Sequence, residues 1–160
     1  MSEPVAPMHP GFAPVAFLLG TWRGEGDGGY PSVEPFRYTE ELTFGHVGDA
    51  FLLVTESSCT PEGAPLHFER GTLRPMGDGK VDLALAHPIG VAEVAEGTVD
   101  GTTVTLRSTA IVRTAAGAPV TEIERRYRRE GDGLSYELDM AMEGIDRTFH
   151  VRAMLGRVDP

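Results

Sequence analysis

The sequence predicts an all-β protein, built as a ten-stranded, up-and-down antiparallel barrel. Ten strand-like runs recur along the chain, turn motifs such as Gly-Asp-Gly separate them, and no apolar run is long enough for a membrane helix. Because nearly every gap is hairpin-sized, neighbouring strands should be antiparallel. Closure into a barrel is favoured because it removes the edges of the sheet. A β-sandwich is the alternative topology.

Each predicted element follows from a local signal in the chain. A Pro-rich start indicates a flexible lead over residues 1–12, and one barrel domain should fill residues 13–160. Residues 10–19 could form one short helical turn before the barrel. The predicted strands, separated by turn residues, are 17–26, 34–45, 49–59, 66–74, 80–87, 89–96, 102–113, 120–130, 134–142 and 145–157.

Three of these strands alternate clearly between apolar and polar residues, which is typical of a strand with one buried face. The residues predicted to share the buried faces are Val81, Leu83, Leu85 and His87; Leu134, Tyr136, Leu138, Met140 and Met142; and Val104, Leu106, Ser108, Ala110 and Val112. A barrel of eight or more strands is wide enough to enclose a small ligand. The inward-facing residues are therefore also candidate ligand contacts.

The stretch GTWRGEG, residues 20–26, places Gly20, Trp22, Gly24 and Gly26 on one face of an extended strand. Glycine inside a strand contributes no packing, so this face carries a single large aromatic side chain. We predict that Trp22 plugs the closed end of the barrel. The glycines leave the wall bare for a cavity or for tight strand packing, or they serve only to let the barrel curve.

Composition and charge exclude several classes of partner. The formal net charge is −10, which disfavours nucleic acid, where neutralising phosphates drives affinity, and anionic membranes. Cys59 is the only cysteine, so no intrachain disulfide can form and a cytoplasmic location fits. The first residues have no basic region and no sustained apolar run, so we expect no signal peptide. Oligomeric state is left open, with a homodimer as one option.

The sequence holds none of the common hydrolase, zinc or phosphate-binding motifs. Among its five histidines no close pair is evident, so we predict no zinc site. His9 and His46 are interpreted as solvated. His150 is ambiguous, because alternation places Phe149 and Val151 on the apolar face and His150 towards solvent. Imidazole is also a usual axial ligand of haem iron, and periodicity does not decide between the two roles.

Taken together, the segments of the chain resemble the nitrobindins, a family of haem proteins also described as peroxynitrite isomerases. The family hallmark G-x-W-x-G-x-G is matched in full by residues 20–26. Further segments resemble family segments in the same order, namely 28–42, 64–75, 83–94, 131–140 and 150–158. The resemblance covers residues 17–158. Since lipocalins also carry G-x-W, the ordered set of segments is what supports the resemblance.

The resemblance implies a ten-stranded barrel, related in shape to fatty-acid-binding proteins, with one haem b at an open end. It implies that His150 is the axial ligand of the iron and the catalytic residue. The other residues that match the family's haem pocket are Met140, Leu66, His67, His87 and Ser32. One departure is Gly133, where some members have a lysine that could pair with a haem propionate.

The activity implied by the resemblance is the isomerisation of peroxynitrite to nitrate on ferric haem, with no net oxidation or reduction, together with reversible binding of nitric oxide. Small molecules are the only partners implied. One alternative is a non-catalytic carrier of a fatty acid or another apolar ligand, whose carboxylate an interior arginine would hold. The candidates are Arg70, Arg74, Arg113 and Arg125. Another alternative is a sensor module that signals haem or nitric oxide to a partner.

Overall fold

Ten antiparallel strands form one closed barrel in this computed structural model, which describes residues 6–158. The strands are β1 (Gly20–Tyr30), β2 (Val33–Gly45), β3 (Leu52–Cys59), β4 (Pro65–Gly77), β5 (Lys80–His87), β6 (Val91–Asp100), β7 (Thr103–Arg113), β8 (Val120–Glu130), β9 (Gly133–Met142) and β10 (Ile145–Val158). Each strand pairs with its neighbours in sequence, and β1 closes the barrel by pairing with β10. The predicted up-and-down barrel is therefore confirmed, and the sandwich alternative is wrong.

A 3₁₀ helix, Pro10–Leu18, precedes the barrel and packs into one end of its core. Phe12 and Val15 on this helix are fully buried, and the indole Nε1 of Trp22 donates a hydrogen bond to the carbonyl oxygen of Leu18 at 2.8 Å. The helix overlaps the end of the predicted 1–12 lead, whose first five residues lie outside the described part of the chain. No helix within residues 6–158 is long and apolar enough to cross a membrane.

The glycine-rich face of β1 is filled by neighbouring strands. Trp22 is fully buried, as predicted. A Cβ atom at Gly26 would lie 2.6 Å from the ring of Tyr38 on β2, and one at Gly24 would lie 2.2 Å from the main-chain oxygen of Met154 on β10. Both distances are far below van der Waals contact. Among the three explanations, tight packing is the one that the structure supports at these two glycines.

The predicted inward face of β7 is correct in its first half only. Val104 and Leu106 are fully buried, but Val112 is 68% exposed. The register between β6 and β7 shifts at a bulge that leaves Thr109 without a partner. Because an extra residue reverses the alternation beyond it, the prediction that Ala110 and Val112 face inward is wrong.

Candidate functional site

A cavity of about 640 Å³ occupies the end of the barrel away from the 3₁₀ helix. Its volume lies within the range of about 300–1,000 Å³ that is common for small-molecule and cofactor sites. Its apolar wall includes Val91, Val120, Ile123, Leu138, Met142 and Val151. The structure also brings all six residues that match the family's pocket to this one cavity: Ser32, Leu66, His67, His87, Met140 and His150.

His150 reaches the cavity because β10 contains a bulge. In the pairing of β9 with β10, Phe149 lies opposite Asp139 and Val151 lies opposite Leu138, so His150 is an extra residue between them. The bulge turns the His150 side chain inward beside Val151, while Phe149 is exposed on the outside. Strict alternation would have placed His150 in solvent, and the bulge overrides it.

The nitrogen atoms of His150 have different environments. The Nδ1 atom lies 3.1 Å from the carbonyl oxygen of Gly29, and the ring packs edge-on against Tyr30 at 5.4 Å between centroids. Burial lowers the pKa of His150 below its ordinary value, which favours neutral imidazole at neutral pH. A neutral ring that donates Nδ1–H to Gly29 keeps a lone pair on Nε2. This arrangement fits an axial ligand of haem iron, because such ligands are neutral and have their other nitrogen hydrogen-bonded.

The remaining pocket residues divide between the interior and the rim. Met140 is 8% exposed, and its carbonyl oxygen accepts a hydrogen bond from the Tyr30 hydroxyl at 3.1 Å. Leu66 is 48% exposed, and Ser32 lies in the turn between β1 and β2. The pocket therefore combines a buried contact from β9 with an exposed apolar and polar rim.

His67 on β4 and His87 on β5 lie side by side, so the prediction that the chain has no close histidine pair is wrong. His67 Nε2 is 3.1 Å from His87 Nδ1, and His87 Nε2 is 2.9 Å from Glu93 Oε1. The pair follows from the register of the β4–β5 hairpin. Arg70 lies opposite Ala86, and one further step along that register brings position 69 opposite His87, with position 67 on the same face. The sequence alone did not reveal the pair, because the register of this hairpin shifts at a bulge near its turn.

Beside the cavity lies a cluster of buried carboxyl groups that was not predicted from the sequence, and three of its four members line the cavity. This carboxyl cluster consists of Glu40, Glu56, Glu69 and Glu93, none of them more than 4% exposed. Arg125 is buried among them, and its Nη1 donates to Glu69 Oε1 at 2.6 Å while its Nη2 donates to Glu93. Isolated charges of this kind are costly to bury, so a hydrogen-bonded partner is required for each.

Protonation differs among the members of the carboxyl cluster. Burial, together with the neighbouring Glu69, raises the pKa of Glu40 to about 8 and that of Glu56 to about 10. Burial alone would also raise the pKa of Glu69, but Arg125 and His67 hold it well below its usual range. At neutral pH, Glu40 and Glu56 are therefore mainly neutral acids, while Glu69 is an ionised carboxylate.

The four arginines proposed for a carrier role do not offer a free charge to the cavity. Arg125 is committed to Glu69 and Glu93, Arg74 pairs with Asp82 at 2.6 Å and Arg113 pairs with Glu143 at 2.7 Å. Arg70 has an exposed side chain. Within the described part of the chain, no lysine or arginine lines the cavity. A fatty-acid carboxylate would therefore meet acidic groups there.

Comparison with known proteins gives one consistent result. A family model described as a THAP4-like, heme-binding beta-barrel domain matches residues 11–157. The chain is similar to a protein named peroxynitrite isomerase 2 from Mycobacterium marinum, with 42% identity over 95% of this chain and 98% of that protein. A protein named peroxynitrite isomerase from Nocardia farcinica is 41% identical over 97% of this chain and 95% of that protein. The fold is also similar to a crystal structure of Rv2717c from M. tuberculosis, with a TM-score of 0.88 and 38% identity over 96% of this chain and 100% of that one.

Proposed function

The chain belongs to the nitrobindin family of haem-binding β-barrels, and on this basis we propose that it binds one haem b through His150 and isomerises peroxynitrite to nitrate. The assignment of His150 as the haem ligand rests on one observation. His150 presents its ring at the wall of the cavity while Gly29 accepts the hydrogen bond from Nδ1. An imidazole held in this tautomer keeps its Nε2 lone pair available for iron.

The residues of the chain bind, orient and shield the reaction site. When bound, haem supplies an iron centre at which peroxynitrite can rearrange to nitrate with no net change in oxidation state. The Gly29 carbonyl fixes the orientation of the His150 ring. The apolar wall, which includes Leu138 and Met140, limits the access of water to that ring.

The polar side of the cavity is proposed to attract the peroxynitrite anion. The side chain of His67 is 31% exposed, whereas that of His87 is 4% exposed and lies against Glu69 and Glu93. Both histidines line the cavity, and His67 is the more accessible of the two to a ligand there. An imidazole there donates a hydrogen bond to an oxygen of the anion when neutral and attracts its charge when protonated.

Stopped-flow measurement of peroxynitrite decay, with nitrate quantified at the end, tests the proposed activity. The haem-loaded chain should accelerate decay and convert the consumed peroxynitrite to nitrate. A His150→Ala variant should lose this acceleration. A His9→Ala variant, changed outside the cavity, serves as the matched histidine control and should keep it. Decay no faster than in buffer, with haem fully bound to the parent chain, would exclude the isomerase function.

Three further expectations remain proposals. We propose that nitric oxide binds reversibly to the same haem iron, and that the protein acts in the cytoplasm, where its free Cys59 would stay reduced. A homodimer also stays a proposal. The carrier alternative is not favoured, because the described cavity residues include no lysine or arginine for a carboxylate. The sensor alternative stays a hypothesis.

A further inference from the structure

Three side-chain atoms of His67, Glu69 and His87 converge beside the cavity. His67 Nε2 and His87 Nδ1 are 3.1 Å apart, Glu69 Oε2 is 3.2 Å from His87 Nδ1, and Glu69 Oε2 is 3.5 Å from His67 Nε2. The three atoms thus form a nearly regular triangle. Donor atoms bound to one tetrahedral zinc ion at about 2.0–2.1 Å lie about 3.3–3.4 Å from one another. The observed triangle is close to one face of that tetrahedron.

If both histidines are neutral, the three atoms of the triangle have too few protons for each close contact to be a hydrogen bond. His87 Nε2 lies 2.9 Å from Glu93 Oε1, so it is the atom that carries the His87 proton. His87 Nδ1 is then a lone-pair acceptor, and it lies 3.2 Å from Glu69 Oε2, which is also an acceptor. A single proton on His67 Nε2 cannot relieve both contacts. Either a second proton on His87 or a cation between the three atoms removes this repulsion.

The surroundings of the triangle resemble the outer contacts of a metal site. Metal-binding histidines usually donate their second ring nitrogen to a carboxylate, as His87 does to Glu93. The other oxygen of Glu69 is held by Arg125 at 2.6 Å, which orients the carboxylate. Glu56 lies opposite Glu69 in the β3–β4 register, and its buried Oε2 has no hydrogen-bond partner among residues 6–158.

From this geometry we propose that His67, Glu69 and His87 bind a divalent zinc ion, at a site separate from the His150 haem ligand. Two imidazoles and one carboxylate form a common three-residue zinc set, which leaves a fourth position for water or another ligand. Here that position is on the side of the cavity, since all three residues line it. The proposal rests on these contacts alone and does not depend on the isomerase function.

Calorimetric titration of Zn²⁺ into the chelator-treated, haem-free full chain tests the proposal. We expect one ion per chain at neutral pH, and ligand-field absorption typical of tetrahedral Co²⁺ when cobalt replaces zinc. His67→Ala should abolish both signals. Because the His67 side chain is 31% exposed, this variant should keep the fold, which circular dichroism would verify. His67→Cys, which restores a zinc ligand, should recover binding, and His67→Phe should not.

Measuring haem and zinc binding in the same variants distinguishes the zinc site from the proposed haem site. His150→Ala should lose the Soret band of added haem and keep the zinc affinity of the parent chain, because His150 is not one of the three proposed zinc ligands. Zinc analysis of the haem-loaded chain after gel filtration should again give one ion per chain. Two results would overturn the zinc site: absence of stoichiometric binding to the folded parent chain, or equal zinc affinity of the parent and His67→Ala chains.

Discussion

The Nδ1 atom of His150 on β10 lies 3.1 Å from the carbonyl oxygen of Gly29 on β1. This contact joins the last strand to the end of the strand that carries the family hallmark, across 121 positions of sequence. Because the acceptor is a main-chain group, its position depends on the β1–β10 pairing and on the bulge at His150. The candidate haem ligand is therefore oriented by the closure of the barrel itself.

Gly24→Ala should destabilise the barrel, because the added Cβ atom would lie 2.2 Å from the main-chain oxygen of Met154. Main-chain atoms of a paired strand cannot move aside cheaply, so we expect a loss of about 1–3 kcal/mol in the free energy of unfolding. Gly45→Ala is the matched control, since nothing lies within 4 Å of its added Cβ atom. Urea denaturation compares the two variants. Equal midpoints would show that β1 and β10 do not pack this closely.

Stability should fall as pH rises above about 5, because Glu40 and Glu56 hold protons in the folded state that the unfolded chain releases. The pKa of an unfolded glutamate is about 4.3, whereas the folded values are raised to about 8 for Glu40 and about 10 for Glu56. The folded chain thus binds more protons over this interval. For each extra proton that the folded chain binds, the free energy of unfolding falls by up to about 1.4 kcal/mol for every unit that the pH rises.

The variant Glu56→Gln should reduce the slope of this pH dependence, because its amide does not titrate, whereas Glu40 still does. Glu96→Gln, at an exposed position of β6, is the control and should keep the slope of the parent chain. Denaturation midpoints measured from pH 5 to pH 9 give the comparison. If the parent chain gains stability over this range, then the buried acids are ionised and our description of the carboxyl cluster is incorrect.

Arg125→Met should destabilise the fold by about 3–5 kcal/mol at pH 7, the usual cost of removing one partner of a buried ion pair. The substitution would leave Glu69 and Glu93 without their shared guanidinium. Arg126→Met is the matched control, because Arg126 is exposed and its pair with Glu137 should contribute no more than about 1 kcal/mol. A similar loss in the two variants, measured by urea denaturation, would contradict the proposed role of Arg125.

The strand boundaries could be predicted well because the alternation of apolar and polar residues ends where the turn residues begin. The predicted strand 120–130 and the observed β8 (Val120–Glu130) coincide, as do 80–87 and β5. Positions where the chain departs from strict alternation could not be predicted. The bulges at Thr109 and His150 each insert one residue. The two-residue alternation of apolar and polar side chains does not show where such an insertion occurs.

The buried carboxyl cluster was missed for a different reason. Alternation does place Glu40 on the same face as the buried Tyr38 and Leu42, and Arg125 on the same face as Tyr127. A charged residue in an inward position is normally taken as evidence against burial. The charges can be buried here because Arg125 on one strand pairs with Glu69 and Glu93 on two others. These partners are far apart in sequence. Charges of opposite sign at inward positions were the available signal.

Haem titration of the His150→Ala chain, followed by the Soret band, tests the central claim most directly. The parent chain and the His9→Ala control should each bind one ferric haem with the spectrum of a histidine-ligated iron. The His150→Ala chain should remain folded by circular dichroism and lose stoichiometric binding, and free imidazole should restore part of the parent spectrum. Unchanged haem affinity together with an unchanged spectrum in His150→Ala would contradict the account.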